Sequence, residues 1–583
     1  MYRMTTGRRV TSMALAVGVA VTVWMAGGCA GPQIEEPEFE EPARVERLRL
    51  KITKVRNAVE ETRQTIARSR GAAFLPEMYL RLAELLSEEA RYHYQLAAER
   101  QQSSGGLSNV PQVRLLKQHA IDIYKMMVRR FESSELLPRV LFNLGHEHRE
   151  LGQFPKMRAA LDTLIEEHPE AELRNNALLV MGDYYFDRSK LGEAAEYYRK
   201  ITDAKLNSVS GLGHYKLAWV EINLGDCEKA LGDFEEAIGK SKRWEERVDS
   251  SSGQRGTSAA RKDIDVRRES VVDLTYCYSR ERKVEGAVDY LERLSYNRAS
   301  YVAALAKLAH RYRLNDNFDG AVVVTRELMK LGPANRDRIE DARTFYTALK
   351  SQADFRRIGE DVRLMSDALT RFYSQSAVGA RERERLTEEF EKYLRDLSTR
   401  AQTQLKKMRG GLEEGESAGE MGPPPEDLSP KELAGQVVDA YAVYADTFPE
   451  AEQYGQMLRN RAEALAYLDR EMEAGKMSLR AARRISEGDE QRNALYDAVV
   501  YLQESLEQEV DRREFERVAA RASLRRAARR LLPYQLEGQK DRRVKFAIAQ
   551  SYYDEGRYLQ AINKLSAVAY EFPGYEASDA AMQ

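Results

Sequence analysis

The sequence is poor in the residues that build redox, metal and nucleophilic sites. It contains only 3 Cys, 3 Trp and 7 His in 583 residues. It has no phosphate-binding loop ending in Gly-Lys-Ser/Thr and no Gly-x-Ser-x-Gly nucleophile elbow. His146 and His148 lie two positions apart, whereas a helical zinc site needs a spacing of four. We therefore expect no catalytic residue, no metal site and no cofactor, and we predict that the protein is not an enzyme.

The chain also lacks an excess of charge of either sign. Its 91 basic and 93 acidic residues give a formal net charge of -2, and both kinds are spread through the two halves of the sequence. Nucleic-acid binding requires a concentrated basic surface. We expect no nucleic-acid partner, and no pattern indicates a small-molecule substrate.

Only one apolar run approaches membrane length, and it lies at the N-terminus. Arginines precede the run Val10–Met25, and Ala26-Gly27-Gly28-Cys29 follows it. This order of charged, apolar and small residues is typical of a secretory signal, here residues 1–28. The last four residues resemble the lipobox of bacterial lipoproteins, and this resemblance implies cleavage between Gly28 and Cys29 and lipidation of Cys29. The alternative is an ordinary secretory signal with an incidental cysteine.

Residues 29–43 are rich in proline and glutamate, a composition that stays extended because it buries no core. The stretch from Ala30 to Pro42 reaches at most roughly 40 to 47 Å. By resemblance to lipoprotein sorting signals, Ala30 after the cysteine implies the outer membrane. We expect a protein anchored by lipid to the periplasmic face of that membrane.

The rest of the sequence shows helical periodicity with internal repeats near 34 residues. Small residues recur at spacings of 37, 36, 57 and 34, at Gly145, Gly182, Ala218, Thr275 and Ala309. A second helix repeats after each, with signature residues at Ala194, Tyr198 and Ile201; Ala230, Phe234 and Ala237; Ala287, Leu291 and Leu294; and Ala321 and Leu328. This pattern resembles the tetratricopeptide repeat, which implies an all-α fold, an α-solenoid of helix-turn-helix repeats.

Composition predicts the division of the chain. We expect N-terminal helices with degenerate repeats over residues 44–134 and a repeat array over 135–335, with a surface loop at 239–262. A charged helical region follows over 336–408. A Gly/Pro linker at 409–431 then leads to C-terminal helical repeats over 432–583. In the charged region we expect a solvated face, formed by Glu388, Glu389, Lys392 and Arg395.

Beyond Cys29, only Cys227 and Cys277 remain. A bridge between them is conceivable in an exported protein. The sequence favours the other interpretation, that both are small buried apolar residues on repeat helices.

The tetratricopeptide resemblance implies a concave groove lined by the first helix of each repeat. Carried onto this chain, its candidate partner-binding residues are Phe142, His146, Leu179, Phe186, Tyr215, Trp219, Ile222 and Tyr276. We call this set the stripe. Aromatic and aliphatic side chains in such a row form an anchor for a peptide or helix. The equally weighted alternative is that they pack against adjacent helices or lie under the protein's own N-terminal helix.

Together these features predict a non-catalytic lipoprotein scaffold. By architecture the chain resembles the repeat lipoproteins of outer-membrane assembly and of gliding-motility complexes, which implies cell-envelope proteins as partners and a membrane contact through the lipid anchor. The alternative is a peptidoglycan-associated enzyme or an activator of a cell-wall enzyme.

Overall fold

The structure is a computed structural model that describes residues 43–99, 110–252, 265–332, 335–375, 377–410, 425, 427–508 and 514–573. Within these residues the regular elements are all helices. The chain divides into two compact units, residues 1–270 and 271–583. The predicted signal, Cys29 and the tether up to Pro42 lie outside the described residues.

The first unit consists of long antiparallel helices that each pack mainly on the next. Its helices are α1 (Ala43–Arg68), α2 (Leu75–Glu99), α3 (Pro111–Arg130), α4 (Leu137–Glu150), α5 (Phe154–Glu167), α6 (Leu173–Phe186), α7 (Leu191–Thr202), α8 (Ser210–Leu224) and α9 (Cys227–Ser252); α10 (Arg267–Asp273) contains the boundary between the units.

The second unit is also built from helices that each pack mainly on a neighbour in the sequence. Its helices are α11 (Thr275–Glu281), α12 (Ala287–Leu294), α13 (Arg298–Leu314), α14 (Phe318–Leu331), α15 (Arg336–Gln352), α16 (Ile358–Gln375), α17 (Ala380–Met408), α18 (Pro430–Thr447), α19 (Tyr454–Ala466), α20 (Glu471–Ala481), α21 (Asp489–Glu507), α22 (Glu514–Leu531), α23 (Gly538–Tyr553) and α24 (Tyr558–Glu571), with a short 3₁₀ turn at Leu532–Tyr534.

Six helix pairs share one turn geometry, which identifies the repeat in the structure itself. In each, a residue with φ between 55° and 85° follows the first helix: Gly152, Ser189, Gly225, Asp316, Asp469 and Gly556. The next backbone N–H donates to the carbonyl five residues earlier, at 2.8 to 3.1 Å. This hydrogen bond closes the helix end in the Schellman manner and reverses the chain. The predicted all-α solenoid of tetratricopeptide-like hairpins is confirmed.

The signature positions lie where the repeat pattern places them. Ala218, Thr275 and Ala309 are buried. A Cβ added to Gly145 would lie 2.6 Å from a Leu161 methyl carbon, so only glycine lets α4 approach α5 this closely. The signature residues of the second helices, among them Tyr198, Phe234 and Leu291, are buried except Leu294, which is partly exposed at the end of its helix.

One expectation about a surface segment is wrong, and another is confirmed only in part, since Glu388 and Lys392 are exposed but Glu389 and Arg395 are half-buried. The segment expected as a loop over 239–262 is helical up to Ser252, because its Lys, Arg and Glu residues favour helix and pair along it, as Arg243 does with Glu236 at 3.1 Å. Residues 253–262 lie outside the described residues. In α17 the expected solvated face is partly buried, since Glu389 binds Arg343 through two hydrogen bonds of 2.6 and 2.7 Å. The linker predicted at 409–431 stays a prediction.

The bonding state of the cysteines differs from the favoured interpretation, which was that both are small buried apolar residues. Cys227 and Cys277 are both buried, as expected, but both are disulfide-bonded. Pairing depends on tertiary distances that sequence spacing does not contain.

Length and hydropathy decide whether any of the described helices could span a membrane. None of these helices combines the length and the apolar character that a membrane crossing requires.

Candidate protein-binding surface

The stripe residues lie on the helices that the resemblance assigned, but most are only half-exposed. His146 is exposed, with 48% of its side chain accessible. The other seven residues have intermediate burial. The stripe residues are therefore partly buried and partly accessible, and their role in binding stays a prediction.

Three stripe residues contribute to the core of the first unit. Phe142, Leu179 and Phe186 pack against the cluster that includes Leu178, Met181 and Tyr198. For these three side chains, packing against adjacent helices accounts for part of their apolar surface, as the alternative interpretation proposed.

The middle of the stripe is aromatic. The rings of Tyr215 and Trp219 on α8 both stand edge-on to the buried ring of Phe234, at centroid distances of 5.9 and 6.5 Å. Edge-to-face contacts of this kind fix ring orientation. Tyr215 and Trp219 are thus held in place, and they and the neighbouring Ile222 keep part of their surface accessible.

Tyr276 belongs to the second unit and has cationic neighbours. The guanidinium groups of Arg280 and Arg311 lie 4.2 and 4.8 Å from its ring centroid. Burial lowers the pKa of Arg311. The surroundings of Tyr276 are therefore a cation–aromatic cluster rather than a purely apolar surface.

A buried polar group lies on the same two helices, α8 and α9, as the aromatic centre. His214 Nδ1 lies 2.7 Å from Asp233 Oδ1. Glu221 is 5% exposed. Burial, together with the neighbouring Asp233 carboxylate, raises the pKa of Glu221 to about 8. Glu221 therefore carries its proton at neutral pH. Sequence reasoning missed this cluster because its members are separated along the chain.

A second charged cluster surrounds the stripe residue His146. The donor atoms of His146, Glu147 and Glu150 lie within 4.8 Å of one another, close enough to hold a metal ion. However, the Lys117 ammonium binds both carboxylates, at 2.7 Å from Glu147. Burial opposes the charge on Lys117, but the two carboxylates outweigh it and raise the pKa of the lysine. The lysine thus supplies the cation that neutralises this cluster.

Sequence reasoning also missed an arginine that lies against two aromatic rings. The Arg188 guanidinium lies 4.2 Å from the Phe154 ring centroid and 3.8 Å from that of Tyr184. These rings come from α5 and α6, so only the packing of two hairpins brings them together. The result is a fixed cation on the surface of the repeat array.

Comparisons with known proteins give a fold likeness without a family. No protein-family model matches the chain, and no curated protein matches it. Similar solved structures include the P58(IPK) TPR domain, with 11% identity over 70% of this chain and 96% of that chain and a TM-score of 0.17. The Naa15/Naa10 complex bound to HypK-THB matches at 10% identity over 92% and 95%, with a TM-score of 0.26. The APC/C hetero-tetramer Cut9–Hcn1 matches at 12% identity over 85% and 95%, with a TM-score of 0.21. TM-scores this low carry no structural argument, so the description as a tetratricopeptide-like α-solenoid rests on this chain's own helical hairpins, on their packing and on the buried signature positions.

Proposed function

We propose that this chain is a non-catalytic scaffold that binds partner proteins through its helical hairpins, anchored by lipid at Cys29 to the periplasmic face of the outer membrane. The observation that carries the binding role is the half-exposed aromatic centre of the stripe. Tyr215 and Trp219 are ordered by buried Phe234, and together with Ile222 they still offer apolar surface. Rigid aromatic anchors lose little entropy on binding and dominate interface energies.

Two features support the proposed envelope location. The N-terminal sequence resembles a lipoprotein signal. The disulfide-bonded state of Cys227 and Cys277 fits an oxidising compartment such as the periplasm, because cytosolic thiols are kept reduced. The partners proposed are envelope proteins, of the kind that assemble outer-membrane proteins or drive gliding motility.

The binding role is tested by purifying the protein from mildly crosslinked envelopes and identifying its partners by mass spectrometry. We expect Trp219→Ala to weaken partner recovery by the equivalent of about 2 to 4 kcal/mol. Trp244→Ala is the matched control, because it removes the same ring from α9 outside the stripe. Unchanged partners with Trp219→Ala would move the interface away from the stripe, and loss of helicity would assign Trp219 to the core.

The anchor is tested separately with Cys29→Ser. We expect this variant to accumulate as unprocessed precursor or to appear as soluble protein. Fractionation with the membrane exactly as the wild type would contradict lipidation. The catalytic alternative is tested by incubating the purified protein with peptidoglycan, where release of muropeptides would replace the scaffold proposal by an enzymatic one.

A further inference from the structure

A small cavity in the second unit lies between α14, α15 and α16. Its volume is about 260 Å³. Part of its wall is apolar, formed by Met329, Leu364 and Ala368, and part is cationic, formed by Lys330, Arg338 and Arg371. A space of this size holds several waters or one small organic molecule. None of these residues belongs to the stripe.

Arg338 is the unusual member of this wall because it is buried without full compensation. The residue is 3% exposed. Its Nη1 donates to the Leu328 carbonyl and lies 3.4 Å from Asp341, whereas its buried Nε has no hydrogen-bond partner. Burial lowers the pKa of Arg338, with Asp341 and Asp337 only partly opposing it. A buried guanidinium with a free donor is costly unless an acceptor reaches it.

Two other arginines of the same unit show what this donor edge binds. Arg326 holds Asp361 through Nε and Nη2 at 2.7 and 3.0 Å. Arg343 holds Glu389 through the same two atoms at 2.6 and 2.7 Å. Nε and Nη2 form the fork that matches the two oxygens of a carboxylate. In Arg338 this fork has no acceptor among the described residues.

Gly332 makes room for this guanidinium. A Cβ added at residue 332 would overlap Nη2 of Arg338. Gly332 has φ -75° and ψ 160°, which any L-residue adopts, so the backbone does not require glycine here. The missing side chain instead leaves room for the Arg338 guanidinium against this residue, and both residues line the cavity.

The remaining charges around the cavity are loosely paired. Lys330 lies 3.5 Å from Glu360 and 3.9 Å from Glu327, and Arg371 lies 3.8 Å from Asp367, which also lines the cavity. These distances are longer than direct hydrogen bonds, so both cations keep donors for another acceptor. The nearby acids weaken the attraction for an anion, and we therefore expect modest, salt-dependent affinity.

We propose that this cavity binds a small organic carboxylate, whose oxygens accept from the Nε–Nη2 fork of Arg338 and whose apolar group lies against Met329, Leu364 and Ala368. Lys330 and Arg371 at the rim add charge without fixing geometry. The apolar wall favours this ligand over a bare inorganic anion such as phosphate, which offers nothing to Leu364.

The experiment is calorimetric titration of the full-length protein with three probes: N-acetylleucine, N-acetylleucinamide and inorganic phosphate. We expect binding of N-acetylleucine only, because the amide lacks the charge and phosphate lacks the apolar group. Arg338→Met should weaken N-acetylleucine about tenfold to a hundredfold, as expected for charged hydrogen bonds. Arg338→Lys should fail to restore it, since an ammonium lacks the planar fork.

Two further variants separate binding from folding. Arg336→Met removes a neighbouring, exposed arginine of the same helix that pairs with Glu382 outside the cavity, and it should leave binding unchanged. Gly332→Ala should weaken binding by displacing the Arg338 guanidinium while helicity is kept. Equal binding of acid and amide, phosphate binding alone, or equal loss with Arg336→Met and Arg338→Met would each overturn the proposal. The scaffold proposal is unaffected by these outcomes, because its test concerns protein partners and Trp219.

Discussion

The ring of Tyr198 on α7 lies directly against Gly182 of α6, so that a Cβ at residue 182 would overlap three ring carbons. The Tyr198 hydroxyl donates to Asp183 Oδ1 at 2.7 Å. One tyrosine thus packs on one residue of the first helix and hydrogen-bonds the next. This contact explains why the repeat needs a small residue at this position: it sets the distance between the helices of a hairpin.

Substitution of this glycine should destabilise the protein. We expect Gly182→Ala to lower the free energy of unfolding by about 1 to 3 kcal/mol, because the added methyl group overpacks a filled contact. Gly232 is the matched control: it lies inside α9 and has no atom within 4 Å of its would-be Cβ. Gly232→Ala should therefore stabilise by roughly 0.5 to 1 kcal/mol through helix propensity. Urea denaturation followed by circular dichroism measures both, and effects of the same sign would contradict this explanation.

Equivalent positions of two repeats should respond differently to truncation. Leu231 and Ile562 each follow the buried alanine of a second helix, Ala230 and Ala561, yet Leu231 is 1% exposed and Ile562 is 58% exposed. We expect Leu231→Ala to cost about 2 to 5 kcal/mol and Ile562→Ala to change stability by less than about 0.5 kcal/mol. The same denaturation assay checks this. A large cost at Ile562 would show that another helix covers α24 in solution.

The buried Glu221 should make stability depend on pH. Its pKa is about 8 in the folded protein, raised by burial and by Asp233, against roughly 4.3 in an unfolded chain. The folded state therefore binds more protons between these values, so this contribution is complete below about pH 4 and is lost as the pH rises towards 8.

We expect Glu221→Gln to remove this fall in stability, because the amide stays neutral throughout. The ionisable groups of His214, Asp233, Asp226 and Lys229 lie on the same two helices or in the turn between them, so the difference between variant and wild type is the relevant quantity. Glu246→Gln, on an exposed residue of α9, is the control and should leave the slope unchanged. Thermal unfolding at several pH values between 5 and 9 measures the effect, and an unchanged slope in Glu221→Gln would contradict the assignment.

The disulfide state predicts a thiol count. In a Cys29→Ser background, the unfolded protein purified from an oxidising compartment should contain no reactive thiol, because Cys227 and Cys277 are both disulfide-bonded. Reduction should then release both. Ellman titration in denaturant measures this number, and two thiols before reduction would show that the cysteines are free in the cell.

The sequence by itself determined the features that depend on neighbours along the chain. The small residues Gly145 and Gly182 and the buried faces of the second helices follow from helical periodicity, because residues three and four apart share a helix face whatever the rest of the fold does. These local rules were sufficient to predict the hairpins and their stacking into an all-α solenoid.

Tertiary structure decided the features that depend on residues far apart in the sequence. The contacts of Lys117 with Glu147, of Arg326 with Asp361 and of His214 with Asp233 each join different helices. Charged residues that look alike in the sequence became buried ion pairs, solvated side chains or the open fork of Arg338. The outcome for each charged residue depends on whether helix packing places an acceptor within about 3 Å of its donor. Helical periodicity fixes the face on which a residue lies but not the partner that it meets there.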